Sequence, residues 1–194
     1  MRVLAIIALL LLQVSCSAES YKHPQIAIET SLGTMTFELY EDKAPNTVAN
    51  FITLAEKGFY RDLKFHRIVR GMLAQGGCPN TKKGANGPVG KGDPGYYIKE
   101  EFHKSLKHVR GMLTMARKRE PATSGSQFCI FFDEYDHLDG AYTVFGKLIK
   151  GEEVLKKLEA AAVKGKPKEP KEVTFSVKVL SKNKKVYKVN KTKI

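Results

Sequence analysis

The sequence predicts a mostly β protein, and three observations carry that prediction. Eight short runs read as strands and are spread along nearly the whole chain. Only two segments carry an apolar stripe at helical spacing. At 194 residues the chain is long enough for one domain with a substantial core, and no repeat or linker divides residues 25–181. Many short strands with two helices suggest a closed barrel with a helix at each end. Periodicity alone leaves a sandwich open.

The elements follow in order. After a polar lead, Glu19–Pro24, "QIAIETSLGTMTFELY" reads as a hairpin. Ile26 and Ile28 alternate with polar neighbours, as do Met35, Phe37 and Leu39, about a turn at Leu32–Gly33. In "APNTVANFITLAEKG" Val48, Phe51, Ile52 and Ala55 share a helical face, Asn46 or Thr47 suits the N-cap, and Gly58 suits the C-terminal cap. "FHRIVRGMLAQGG" (65–77) predicts a strand pair. Residues 79–95, rich in Gly, Lys, Asn and Pro, predict a long surface loop. "YYIKEEF", "GMLTMA", "SQFCIFF" and "TVFGKLI" predict strands, and "RKREPATSG" a loop. "EEVLKKLEAA" predicts the second helix, with Val154, Leu155, Leu158 and Ala162 on one face. "EVTFSVKVL" closes the domain as an alternating strand.

The two ends stand apart. Residues 1–18 combine Arg2, an apolar run from Val3 to Leu12 and a small-residue stretch, the pattern of a secretory signal peptide, too short for a stable membrane span. Val14–Cys16 resembles a lipobox, in which the cysteine is acylated to tether the domain; cleavage after Ala18 is the competing reading. The net charge of +13 is concentrated in 164–171 and in the tail 182–194, which has six lysines and no acid. Such a tail reads first as solvated and self-repelling, and second as a surface drawn to anionic polymers or lipid headgroups. An exported chain without a nucleic-acid motif is not expected to bind nucleic acid. Cys78 and Cys129 either pair or act as two small buried fillers.

The chemistry narrows by elimination. None of the five histidines stands at metal-ligand spacing, so no metal is expected. Cys129 lies in an apolar strand, where an inert thiol is the expectation. The Gly-rich loop lacks the lysine–serine ending of a phosphate cradle. What remains is an apolar wall with one cation, Arg67, and neutral amides. Such a wall suits a reaction in which no bond breaks, and rotation about an X–Pro amide is one. Its barrier, about 18–20 kcal/mol, reflects the partial double bond of the planar amide. A guanidinium that donates to the prolyl nitrogen once it has regained its lone pair stabilises the twisted state over the planar one.

Together "FHRIVRGMLAQGG", "GMLTMA", "SGSQFCIFF" and "LDGAYTVFGKL", in this order, resemble the cyclophilin-type peptidyl-prolyl cis–trans isomerases over roughly residues 25–181. The resemblance implies a closed eight-stranded antiparallel β-barrel capped by two α-helices, and a monomer without metal, nucleotide or redox cofactor. It implies Arg67 as the catalytic arginine. Gln75, Gln127 and the backbone near Arg117 would hold the peptide. Met72, Leu73, Ala116, Cys129, Leu138 and Tyr142 would form the proline pocket. Proline-containing peptides and unfolded client proteins are the implied partners.

The departures carry expectations of their own. Met72–Leu73 replaces a Phe–Met pair, and Tyr142 replaces a histidine; both keep the wall apolar or aromatic. His137 stands where the family often has tryptophan, which should weaken binding of cyclosporin-class inhibitors. Cys129 stands where an aromatic usually floors the pocket, at an expected cost of about 1–3 kcal/mol of transition-state binding. A proline-peptide binding module with little turnover is therefore the rival reading. "LDGAYTVFGK" and "MARKREP" resemble bacterial members, so periplasm or cell envelope is expected, with a secretory compartment as the alternative.

Overall fold

The computed structural model describes residues 23–193. The leader 1–18, with Cys16, therefore lies outside the described residues. Strands β1 (Gln25–Thr30) and β2 (Gly33–Leu39) form the expected hairpin. Ile26 faces Phe37 and Ile28 faces Met35 across it, and all four are fully buried. The turn is Ser31–Leu32, one residue earlier than expected. Gly33 opens β2 at φ 128°, with Val154 of the second helix so close that a Cβ would lie 2.8 Å from its Cγ2.

Helix α1 spans Pro45–Glu56 and ends as expected. Gly58 takes φ 69°. Its N–H donates to Ala55 O (2.9 Å) and that of Phe59 to Leu54 O (3.0 Å), a Schellman motif. The start differs. Neither Asn46 nor Thr47 caps it; Pro45 stands in the first turn and the N-cap, Ala44, has no side chain to offer. Instead Glu101 accepts from the N–H of Asn46 (3.0 Å) and of Thr47 (2.7 Å), and from the Thr47 hydroxyl (2.7 Å). A carboxylate there satisfies orphan donors and complements the helix dipole.

The run "YYIKEEF" is not a strand: the backbone N–H of Glu101 donates to the Thr143 hydroxyl (2.9 Å) instead of to a ladder. Glu101 is committed to α1, and Glu100 accepts from the Ala122 N–H at 2.7 Å. Only isolated bridges form on this run, Tyr97 with Thr192 and Ile98 with Ser124.

The remaining elements are β3 (Leu63–Lys64), β4 (Arg67–Val69), β5 (Leu73–Gly76), β6 (Met112–Met115), β7 (Phe128–Phe131), β8 (Val144–Lys150), α2 (Glu152–Ala160) and β9 (Thr174–Ser181). One antiparallel sheet of nine strands results, in the order β3-β9-β1-β2-β8-β6-β7-β5-β4. Its two ends, β3 and β4, are halves of one run of chain, residues 63–69. Between them Phe65 N–H donates to Val173 O (3.1 Å), on the β9 side, and His66 N–H to Gln75 O (3.1 Å), on the β5 side. The sheet therefore curls until its ends meet. Nine strands appear where eight were expected because this interrupted strand counts twice.

Helix α1 packs on β9, and α2 on β2 and β5. Val48, Phe51, Ile52 and Ala55 from α1, and Val154, Leu155 and Leu158 from α2, join Ile68, Ala74, Leu113, Phe128 and Ile130 of the sheet in one core. The tail does not leave the body as a solvated chain. Lys182 pairs with Glu56, Lys185 lies 2.6 Å from Glu41, and Thr192 bridges to Tyr97.

Candidate active site

Register builds the site. Arg67 on β4 lies opposite Gln75 on β5, Gln75 opposite Cys129 on β7, and Cys129 opposite Thr114 on β6. Residues directly opposite in an antiparallel pair share a face, so these four form one transverse row. Their neighbours Ile68, Ala74, Ile130 and Leu113 are fully buried and face the core. The row therefore faces outward. A second row, Val69, Leu73 and Phe131, runs beside it on the same face. Leu73, Cys129 and Phe131 form an apolar cluster separate from the core, joined by Met72, Ala116, Tyr135 and Leu138.

Above this cluster opens a cavity of about 230 Å³. Every sequence-predicted site residue lines it except Gln127 and His137. Leu138 reaches it from a 3-10 turn, Asp136–Leu138. Asp139 pins that turn, accepting at 2.9 Å from both the N–H and the Nδ1 of His108, with Lys107 Nζ at 3.0 Å. Burial alone would raise the Asp139 carboxyl, but the His108 and Lys107 partners hold it down to about 2. Tyr142 forms the far wall, with the Arg117 guanidinium 5.1 Å from its ring.

The two arginines of the cavity differ. Arg117 is tied down: its Nε donates to Ala141 O (3.0 Å), and its Nη1 to Lys118 O (3.1 Å) and Arg119 O (3.0 Å). Among the described residues no carboxylate lies within ion-pair reach of Arg67. Its neighbour His66 carries no charge at neutral pH, because burial first, and the Arg67 charge second, lower its imidazole to about 4. Cys129 is likewise neutral; burial pushes its thiol up to about 12, against a smaller opposing pull from Arg67. Cys78 and Cys129 are both free and buried, so the filler reading holds.

His66 gives a pH prediction. Its folded value lies below the ordinary 6.5, so the unfolded chain binds a proton that the folded chain refuses. The stability it contributes is whole above about pH 6.5 and is lost as pH falls toward 4. Across that window the wild type should lose roughly 2–3 kcal/mol relative to His66→Phe in urea titrations. Parallel pH curves for the two proteins would contradict it.

Gln127 lines a second cavity of about 160 Å³, and its amide is occupied. Its Nε2 donates to Gly90 O (3.0 Å) and Gly92 O (2.9 Å), and its Oε1 accepts from Gln75 Nε2 (3.0 Å). It anchors the 79–95 loop, whose residues Gly90–Asp93 form one wall of this cavity, while Gln75, Ala116 and Arg117 border both cavities. His137 lines neither; it is exposed, with its ring 5.7 Å from that of Tyr135.

Thr114, Met115 and Phe131 line the first cavity without having been singled out for it. The signal for Phe131 was available. It lies two residues past Cys129 on a strand, hence on the same face, so it supplies an aromatic floor one row from the usual position.

A curled antiparallel sheet capped by two helices, with an arginine at the rim of an outward apolar cavity, defines a class. The chain belongs to the cyclophilin-type peptidyl-prolyl cis–trans isomerase family, whose model ("Cyclophilin type peptidyl-prolyl cis-trans isomerase/CLD") matches residues 25–179. It is 44% identical over 135 residues to a peptidyl-prolyl cis-trans isomerase of Helicobacter pylori, covering 69% of this chain and 78% of that one. It is 40% identical over 136 residues to an Arabidopsis thaliana isomerase, covering 70% and 80%. A solved cyclophilin-type isomerase of Cryptosporidium parvum, in the presence of the dipeptide Ala-Pro, superposes with a TM-score of 0.73 at 34% identity, covering 81% of this chain and 99% of that one. The enzymatic activity is accordingly rotation about X–Pro bonds.

Proposed function

We propose that Arg67 is the electrostatic catalyst of this isomerase and that its clients are exported proteins. The observation that carries the catalytic part is the row Arg67–Gln75–Cys129: a guanidinium with no carboxylate partner among the described residues, at the rim of an apolar cavity. The proline ring sits over Phe131, Leu73 and Cys129. Leu138, Ala116 and Met72 close around it. Gln75 and the backbone at Ala116–Arg117 hold the flanking peptide. As the amide twists, the prolyl nitrogen becomes pyramidal, and the Arg67 guanidinium donates to its lone pair. The planar amide offers no such acceptor, so the contact favours the transition state alone. No proton moves, consistent with a neutral His66 and a neutral Cys129 beside it.

The test is the isomerisation rate of an Ala-Pro peptide with the full chain, against an uncatalysed relaxation of ~10–100 s. Concentration-dependent acceleration is the expected result. Peptide binding without acceleration would instead establish the binding-module reading that Cys129 raises. Phe131 weighs against that reading, because it restores an aromatic to the floor.

The export part rests on the pattern of residues 1–18, with acylation at Cys16 and cleavage after Ala18 as its two forms. Periplasm or cell envelope is the proposed location, and a secretory compartment the alternative. Fractionation of cells expressing the full chain tests it. Recovery in the cytosol with residues 1–18 still attached would end this part of the proposal.

A further inference from the structure

We propose that the C-terminal tail is a strap that positions the wall of the second cavity, and thereby sets which side chain beside the proline the site accepts. The proposal rests on the isomerase reading for its substrate but on separate geometry for the strap.

Six lysines without an acid would leave the body if charge alone decided. They do not, because the body meets them at spaced points. Asn183 Nδ2 bonds Glu41, and Lys182 and Lys185 pair with Glu56 and Glu41. Their ammonium groups lie 5.6 and 5.4 Å from the Tyr187 ring. The Lys182–Glu56 pair is exposed, and such pairs hold weakly and are screened by salt; the Glu41 carboxylate that meets Lys185 and Asn183 is buried. The directional anchors come further along. Asn190 and Asn46 exchange two hydrogen bonds: Asn46 Nδ2 donates to Asn190 O (3.0 Å), and the Asn190 N–H to Asn46 Oδ1 (2.8 Å). Thr192 and Tyr97 exchange two more through the backbone, Thr192 N–H to Tyr97 O (2.7 Å) and Tyr97 N–H to Thr192 O (3.2 Å). The Thr192 hydroxyl donates to Ala122 O (3.3 Å), and Lys191 Nζ lies 4.1 Å over the Tyr96 ring.

The strap thus grips the two segments that build the outer wall. Tyr97 is the joint. Its backbone is held by Thr192, while its hydroxyl donates to Asp93 (3.2 Å) and accepts from Lys118 Nζ (2.6 Å). Tyr97, Asp93 and Lys118 all line the second cavity. Ala122, on the loop after Lys118, is the other gripped point. Tyr97 lies in no strand ladder, so the bridge to Thr192 is the only backbone pairing recorded for it among the described residues. Because Gln75, Ala116 and Arg117 border both cavities, a peptide with its proline in the first lays a neighbouring side chain into the second.

The experiment compares the full chain with Thr192→Pro, which removes the N–H that Tyr97 O accepts, and with Thr192→Ala, which keeps it. Isomerisation is measured on peptides varied at the residues flanking proline, alongside amide exchange of segments 93–101 and 117–124. Thr192→Pro is expected to change the ratio of kcat/KM between the best and worst flanking residues by about twofold to tenfold, the range for one net hydrogen bond. The Ala-Pro rate should stay near wild type, and exchange in both segments should quicken. Thr192→Ala, which keeps the N–H and releases only the hydroxyl's long contact with Ala122 O (3.3 Å), should shift selectivity less than Thr192→Pro does. Unchanged selectivity and exchange in Thr192→Pro would overturn the proposal. If the wild type turns over no peptide, the isomerase reading fails separately, and the strap stands or falls on exchange and on binding selectivity across the same peptides.

Discussion

Arg67→Ala is expected to lower kcat/KM for an Ala-Pro peptide by about 10²–10³, the loss seen when one preorganised donor to developing transition-state charge is removed. The fall should lie in kcat, with KM little changed, because the guanidinium meets an acceptor only in the twisted amide. Stability should barely move. Since no carboxylate of the described residues pairs with Arg67, its removal orphans no buried charge. Arg67→Lys should recover part of the rate, since an ammonium supplies charge but not the guanidinium's fixed planar donors. Equal loss in kcat and in peptide affinity would make Arg67 a binding residue. An unchanged rate would remove it from the mechanism.

The parts of this site that were legible in the sequence are those that rest on local periodicity. The strand pair at 65–77 was legible in the sequence, while the register that sets Arg67 opposite Gln75 is a finding of the structure. The end of α1 was legible because Gly58 acts on the turn just before it. The beginning was not, because its cap, Glu101, comes from 54 residues away. "YYIKEEF" read as a strand because alternation cannot show that its backbone meets only single bridges and the Thr143 hydroxyl. Gln127 was assigned to the peptide through the family resemblance; in the structure its amide bonds Gln75 and the 90–92 loop, contacts that local sequence does not show. The tail was misjudged for a related reason. Its composition reports charge, but its placement depends on Asn46, Tyr97 and Ala122, all far upstream.

Phe131→Ala should cost the enzyme about tenfold to two-hundredfold in kcat/KM, the range for an apolar group lost from a substrate pocket. The argument starts from β7. Cys129 and Phe131 alternate outward while Phe128 and Ile130 fill the core. An aromatic at 129 would sit in the row of Arg67 and Gln75; here the ring sits one row away, opposite Leu73. Phe131 is held there edge-on to His108 (5.1 Å) and tilted against Tyr135 (5.9 Å). Its truncation should therefore also lower stability, by about 3–5 kcal/mol if the site cannot collapse. A volume-conserving exchange separates the two effects. In the double variant Cys129→Phe/Phe131→Cys the ring returns to the row of Arg67, so peptide turnover should survive far better than in Phe131→Ala, and KM should shift with the displaced floor. Cys129→Ala alone should change little, because its neutral thiol contributes only a small apolar contact. If Cys129→Ala cripples turnover while Phe131→Ala spares it, the floor is the thiol and not the ring. Phe131 would then be packing for the Leu138 turn alone.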